Sequence, residues 1–475
     1  MNLNKYIFMG RRTLLIVFSA LATSLASFAG TPDNMQVWLK NGEQRVFDIS
    51  QVDSVTFGVA QQQEHNLLTE NTMPPIFAAP IPLEVNAQEL AYIKRNNEFG
   101  LKCFAKLRET KKKDGTNLPI HFFSPVSLNF ALGFCANGAS KGGATEIANA
   151  LGFQSENAVE DMNDFFHKLY LSINSGVDSV DVHTANALWI NESSVAKENF
   201  VKTAKESYYA TVRNLDFEGD PLGSKDTIDH WAALMTNNRI DDLQIRVSEL
   251  TRLVINNACY FKGAWISPFA EDSVAEFEGK EGTQTAKFMS IIDEYQNYAE
   301  TSNYQAVNLD YGTISESTLF HNAYDMVVIL PKSGHDLNEV LPTIQWDSIA
   351  FKYEKVSLYM PKFKSKDGYD IDRILPNLGI NNIFHEFSNA IEDEEIDGKI
   401  SVSQVRQDFY ISVDEFGTEA AAVTSIIMDA ESSGEPDMTP PTIMRCNRPF
   451  VFAIREKRTG LILFIGEFDS VPDDN

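Results

Sequence analysis

Residues 414–431 read Asp414-Glu415-Phe416-Gly417-Thr418-Glu419-Ala420-Ala421-Ala422-Val423-Thr424-Ser425-Ile426-Ile427-Met428-Asp429-Ala430-Glu431. An acidic pair leads, and Gly417 can pivot because no Cβ restricts φ. Three consecutive alanines favour helix by propensity alone. Taking every second residue gives a different reading. Thr418, Ala420, Ala422, Thr424, Ile426 and Met428 share one face of a strand, small at the start and larger towards the end. The opposite face is mixed, with Glu419 and Asp429 at its ends. Such a segment suits an exposed loop that enters a sheet where a gap opens.

Residues 409–413 ahead of it alternate like a strand. Downstream stand Asn447-Arg448-Pro449-Phe450-Val451-Phe452-Ala453-Ile454-Arg455 and Thr459-Gly460-Leu461-Ile462-Leu463-Phe464-Ile465-Gly466. Residues 417–422 resemble the hinge of the reactive-centre loop of the serpins, the serine protease inhibitor superfamily. The two later stretches resemble that family's C-terminal signature. One six-residue match in alanine-rich sequence arises by chance, but two motifs in order at the right distance very rarely do.

At 475 residues the chain suits one large α/β core with extensions, and 43% hydrophobic residues place it among globular proteins. A net charge of −26 argues against nucleic acid and anionic membrane surfaces as partners. Lys5, Arg11 and Arg12 precede an apolar run that closes on Ser27-Phe28-Ala29, the pattern of a secretory signal over residues 1–29. The run is short for a bilayer, and no later stretch is apolar enough to span one. With no cysteine there, the segment is not a lipid-anchored start. The expected location is therefore outside the cytoplasm: secreted, periplasmic or associated with the cell surface.

Residues 30–58 read as a small strand-rich extension. Residues 35–39 alternate, 40–43 make a hairpin turn, 45–49 resume the pattern and 54–57 suggest a third strand. The unit resembles leaders on exported proteins of the Bacteroides group, which implies a bacterial host. Residues 59–83, with Pro74-Pro75, Pro80 and Pro82, read as a linker to a main domain over 84–475. Cys103, Cys135, Cys259 and Cys446 have no metal-ligand spacing, and Cys135 and Cys259 sit among small apolar neighbours, so free thiols are expected.

Within the main domain, residues 98–107 carry a helical apolar face. Phe123-Ser124-Pro125-Val126-Ser127 resembles the family's early signature. Ser124 reads as a helix cap rather than a nucleophile. Residues 138–143 read as a turn before a helix at 144–151. They are not a phosphate loop, because Ala144 stands where Lys and Ser/Thr belong. Asn186-Ala187-Leu188-Trp189-Ile190 looks like the family's third strand of the main sheet. The stretch from Leu253 to Trp265, with Asn257, Phe261 and Gly263, is the strongest internal signature. Residues 324–331 are a nearly all-apolar strand expected to be covered on both faces, and 311–323 form an atypical connection.

No histidines occur as HExxH, and the run Glu392-Asp393-Glu394-Glu395 reads as a solvated turn. The Gly-x-Ser-x-Gly match at residues 138–142 falls in the turn before a helix and follows no strand, so it is no nucleophile elbow. No metal, cofactor or catalytic residue is expected, and the chain does not read as an enzyme. The resemblance implies an α+β serpin-like fold with three β-sheets, about nine helices and an exposed reactive-centre loop. It implies a monomer that inhibits serine endopeptidases, with cysteine endopeptidases a further class, by a suicide-substrate mechanism ending in a covalent acyl complex. Glu415, Gly417, Thr418, Glu419, Ala420, Ala421, Ala422 and Thr424 take the part of the hinge. Ser124, Pro125, Asn186, Trp189, Asn257, Phe261, Gly263, Trp265, Pro449, Phe450 and Gly466 take that of sheet opening and fold signature. The family's usual spacing, fifteen residues counted from the hinge glycine, implies a reactive bond between Glu431 and Ser432, with Met428 and Asp429 the alternative. Phe416 and Gln407 depart from the family pattern, Gln407 standing where a histidine is usual. The alternative function is a non-inhibitory binding or scaffold protein on the same fold.

Overall fold

The computed structural model describes residues 80–109, 118–175, 180–312, 323–392, 400–419 and 439–472, and the backbone of short strands at 15–16, 34–38 and 44–48. Two compact units meet in sequence at Leu67 and Leu68. In the first, β1 (Leu15–Ile16), β2 (Asn34–Trp38) and β3 (Gln44–Asp48) form an antiparallel sheet in that order. The β2–β3 hairpin is the expected one, with Trp38 opposite Gln44. The third strand expected at 54–57 lies outside the described residues. A third strand is instead supplied by β1, inside the segment that reads as a targeting sequence.

The second unit opens with α1 (Ala87–Leu107), started by a capping box in which Asn86 and Glu89 each accept from the other's backbone amide. β4 (Ile120–Phe123) leads into α2 (Pro125–Gly138). Ser124 caps α2 by accepting from the Ser127 amide at 3.2 Å, and Pro125 fills the first turn, where no amide is needed. α3 spans Lys141–Leu151. Ser140 caps it, so Gly142 and Gly143 belong to its first turn and the helix begins three residues earlier than expected. α4 (Ala158–Ile173), β5 (Val180–Asn191), α5 (Glu198–Glu206), β6 (Thr211–Leu215), α6 (Pro221–Met235) and β7 (Leu253–Ala264) follow.

The rest is mostly strand: β8 (Ala270–Gly279), β9 (Gly282–Glu300), β10 (Tyr304–Asp310), β11 (Tyr324–Pro331), then α7 (Leu337–Val340), β12 (Lys352–Pro361) and β13 (Phe363–Asp370). β14 (Arg406–Asp414), β15 (Gly417–Thr418), β16 (Thr442–Arg445), β17 (Phe450–Glu456) and β18 (Leu461–Phe468) complete the order. β11 is buried at every residue, as its unbroken apolar run requires.

The architecture is α+β and serpin-like, but this unit has two sheets among the described residues rather than three. One runs β16-β12-β9-β10-β11-β17-β18-β4, with β8 also on β9. The reason lies in the 19-residue strand β9. Asp293 takes φ 57, and the β9–β12 ladder slips register between Val356 and Leu358, so β9 turns a corner while still paired. Two expected sheets therefore share one continuous ladder. The other sheet runs β13-β14-β15-β7-β5-β6. β5, expected as its third strand, is second from the β6 edge, and β7 holds the third place.

Seven α-helices are found among the described residues, where about nine were expected. Leu341–Thr343, Leu375–Leu378 and Asn382–Phe384 are single 3-10 turns. Pro342 and Pro376 supply no amide there, and Gly379 at φ 92 ends the second turn.

The main core fills the space between the sheets and the helices. α2 lies in its middle, apolar on all sides and buried along most of its length. A second cluster covers the opposite face of the six-stranded sheet, where Trp189 of β5 meets Trp231 of α6 edge-on at 6.0 Å. All four cysteines are free, as expected; of the two set among small apolar neighbours Cys135 is buried and Cys259 is half-buried, and Cys103 and Cys446 are buried as well.

Polar groups are also buried beside β18. Arg108 and Lys280 both donate to the Glu467 carboxylate, and Lys280 reaches Asp469 at 2.5 Å. His121, 2% exposed, lies 3.8 Å from Asp469 and 3.3 Å from the Tyr369 hydroxyl. Burial pushes its imidazole down to about 4, against the pull of Asp469. The unfolded chain binds a proton between about pH 6.5 and 4 that the folded protein refuses. The stabilisation held above pH 6.5 is therefore lost as pH falls towards 4, by about 3 kcal/mol. His121→Gln is expected to lose less stability by about that amount between pH 7 and 4, measured by urea unfolding at each pH. An unchanged pH slope in the variant would reject the assignment.

Candidate functional site

β14 alternates buried and half-buried positions, with Phe409, Ile411 and Val413 facing the core. At its end the chain turns through Asp414, Glu415 and Phe416, and the Asp414 carboxylate accepts from the Phe416 amide at 2.9 Å. Three bonds stitch this turn to the segment after β7. The Trp265 indole donates to the Asp414 carbonyl, the Trp265 amide to the Phe416 carbonyl and the Phe269 amide to the Glu415 carbonyl, each at 2.9 Å. Lys362 pairs with the Glu415 carboxylate at 2.5 Å. Phe416 itself is 40% exposed, so its departure from the family pattern displaces nothing in the core.

The two residues of β15 lie between β14 and β7 and pair with both. Gly417 stands opposite Asp414 and Ala264, and Thr418 opposite Val413 and Gly263. Among the described residues β14 and β7 share no ladder with each other, and the sheet is joined there through β15. Thr418 is 3% exposed, with its hydroxyl 2.6 Å from that of Tyr311. Tyr311 stacks on Trp265 at 4.4 Å. A side chain at Gly263 would meet the Tyr311 ring at 2.7 Å, so this close approach requires the glycine.

The left-handed residue of this stretch is Glu419 and not Gly417. Gly417, at φ 158, is almost fully extended, whereas Glu419 takes φ 51. Its amide donates to the Ser412 carbonyl at 2.7 Å. Its carboxylate, with the side chain only 8% exposed, accepts from Arg239 at 2.6 Å and from the Tyr260 hydroxyl at 3.0 Å. This contact holds the Arg239 guanidinium above its ordinary range, and burial together with Glu419 pushes the Tyr260 phenol up. Leaving the left-handed conformation breaks this set of bonds.

Further along β14, Gln407 grips both backbone groups of Ser124. Its amide oxygen accepts from the Ser124 amide at 2.8 Å and its nitrogen donates to the Ser124 carbonyl at 3.1 Å. Ser124 and Pro125 thus tie the start of α2 to the sheet. Across from them, Ser127 donates to the Asn257 side chain, which donates to Thr184 at 3.0 Å and Asn186 at 2.8 Å. The Trp189 indole donates to Asn256 at 2.9 Å. These residues fasten α2, β5 and β7 with neutral amides and hydroxyls, bonds that break and re-form without moving a charge.

Phe261 packs edge-on to Tyr311 at 4.8 Å, beneath the hinge. Pro449, Phe450 and Gly466 are not part of this cluster and lie in the other sheet. Pro449 precedes β17, and Phe450 stacks on Phe468 at 5.3 Å. A side chain at Gly466 would run into the Phe452 ring. Ala420, Ala421, Ala422, Thr424, Met428, Asp429, Glu431 and Ser432 lie outside the described residues, as do residues 393–395 of the acidic run and 313–322 of the atypical connection. Tyr311, Arg239 and Tyr260 were not singled out from sequence. They are scattered through the chain, and only the fold brings them to Thr418 and Glu419. The site presents strand edges rather than a nucleophile and base. Among the described residues, no group of three or more His, Cys, Asp or Glu side chains is placed to hold a metal. No helix among them is long and apolar enough to cross a membrane.

Residues 94–471 match the family described as Serpin (serine protease inhibitor), and the chain belongs to that family. An uncharacterized serpin-like protein of Methanosarcina acetivorans is 31% identical over 391 residues, covering 79% of this chain and 86% of that one. Human serpin B4 is 28% identical over 404 residues, covering 79% and 98%. The crystal structure of the thermophilic serpin tengpin in its native state superposes with a TM-score of 0.68 at 26% identity, covering 83% of this chain and 97% of that one. The family is described as one of inhibitors rather than catalysts, and the chain is not an enzyme.

Proposed function

We propose that the protein is an exported bacterial inhibitor of serine endopeptidases, and of cysteine endopeptidases through the same acyl chemistry, acting as a suicide substrate by loop insertion. One observation carries this reading: Gly417 and Thr418 already form a strand paired on both sides between β14 and β7. Thr418 faces the core, so a chain continuing in extended form turns Ala420, Ala422 and Thr424 inward and Glu419 and Ala421 outward. The inward residues are small enough to pass between two packed strands. The family's pattern supports the remaining steps. The target endopeptidase attacks the loop, its acyl ester forms on the N-terminal side, and the released chain extends β15 down the sheet with the enzyme still attached. Stored strain in the uncut fold drives the change.

Spacing from Gly417 supports Glu431 as the residue that enters the protease's specificity pocket. A pocket with basic lining then suits the target, and one carrying a carboxylate is disfavoured by like charge. The expected result from a panel of endopeptidases is a complex that survives denaturing electrophoresis, with release of a C-terminal fragment whose mass begins at Ser432. A fragment beginning at Asp429 would move the bond to Met428. Cleavage by every enzyme without a stable complex would point to the non-inhibitory alternative. The signal-like residues 1–29 and the extension over 30–58 support export as a monomer to the periplasm, the cell surface or the medium.

A further inference from the structure

A second site lies where β9 and β10 meet the segment after β7, sharing Trp265 with the turn at residues 414–416. It is a cavity of about 150 Å³, walled by Trp265 and by the polar side chains of Gln296, Asn297, Asn308 and Asp310. That is about half the smallest volume usual for a drug-sized ligand, so its occupant is about one ring in size. Asn308 is 6% exposed; its nitrogen donates to Asp325 at 3.0 Å, while its amide oxygen is buried without a hydrogen-bond partner among the described residues. A buried amide oxygen left this way costs free energy unless a donor reaches it. The one carboxylate in the wall, Asp310, is already matched by Lys457 at 2.6 Å, so the cavity calls for no charged ligand. The amides offer donors and acceptors side by side. At the rim, Tyr353 is 70% exposed and stacks on Tyr295 at 5.3 Å and 24°. Scattered exposed aromatics need no explanation, but a stacked pair beside a polar cavity is not scattered.

We propose that this cavity binds a neutral polyhydroxylated ring, a single hexose unit either free or at the end of a glycan. Its apolar C–H face would lie on the tyrosines and its hydroxyls would meet the amides, one of them donating to Asn308. The claim is independent of protease inhibition and is tested without a protease. Saturation-transfer NMR on the whole protein would use glucose, galactose, mannose and N-acetylglucosamine, each titrated to about 20 mM, with gluconate as the charged control. At least one neutral sugar is expected to give saturable transfer, and gluconate none. Tyr353→Ala alters a mostly exposed side chain and is expected to weaken binding at least about tenfold, whereas Leu250→Ala, at a distant exposed position, leaves it unchanged. Asn308→Ala is expected to weaken it as well, and Tyr353→Ala carries the test if that variant folds poorly. No saturable signal from any of the four sugars, or equal signals from wild type and Tyr353→Ala, would overturn the proposal.

Discussion

Cutting the reactive loop with a non-target protease is expected to raise the melting temperature of the protein. A nick usually frees chain and lowers it. The opposite is expected here because β15 is a strand that stops after two residues, with Thr418 already seated between β14 and β7. Once the chain beyond it has a free end, each further residue pairs with both neighbours. Alternate side chains, Ala420, Ala422, Thr424 and then Ile426 and Met428, are taken from water. Against this stands the ordering of that segment and the loss of the Glu419 bonds to Arg239 and Tyr260. A net gain of about 5 kcal/mol corresponds to a rise on the order of 10 °C. Calorimetry of intact and nicked samples in one buffer measures it, and an unchanged or lower midpoint would reject insertion.

The parts of this arrangement legible in the sequence are those in which a local rule and a tertiary role coincide. Ser124-Pro125 reads as a helix start because capping and an early proline are local requirements, and the structure places both there. β11 reads as a doubly covered strand from its unbroken apolar run. Gly417 and Thr418 read as the start of a strand-like alternation, and those two residues are paired on both sides. What was not legible depends on residues far apart in the chain. Arg239 and Tyr260 look like ordinary surface and strand residues until the fold sets them beside Glu419. Nor does the sequence mark Glu419, rather than a glycine, as the residue that takes the left-handed conformation, since the ion pair and the hydroxyl that hold it come from far away in the chain. The count of sheets failed for a related reason. β9 keeps its pairing through Asp293, a residue type that tolerates the left-handed region, so no glycine or proline marks the corner.

Replacing Thr418 by arginine is expected to turn the inhibitor into a substrate while leaving the fold intact. The threonine is 3% exposed, its hydroxyl meets Tyr311, and the space beneath is filled by Phe261 and the Tyr311–Trp265 stack. A guanidinium does not shed its charge at this site, because it stays protonated up to about pH 12. Burying it without a partner costs several kcal/mol, and leaving the hinge outside the sheet costs the pairing of two residues of β15 and the bonds of Glu419 to Arg239 and Tyr260. The free protein therefore keeps its fold with the hinge expelled, and far-UV circular dichroism should match wild type. After the cut, the same charge must pass into the sheet before the acyl ester hydrolyses. A barrier higher by about 4 kcal/mol slows that step roughly a thousandfold, and hydrolysis wins. The expected gel shows cleaved protein with almost no stable complex, and the nicked variant should lose the rise in melting temperature. Thr418→Ser, which keeps the hydroxyl, should retain both. The alternation extends the test: Ala422→Arg should fail as Thr418→Arg does, and Ala421→Arg, on the outward face, should inhibit nearly as wild type. Undiminished complex with Thr418→Arg would mean that β15 is a fixed ornament of the sheet and not the leading end of an inserting strand.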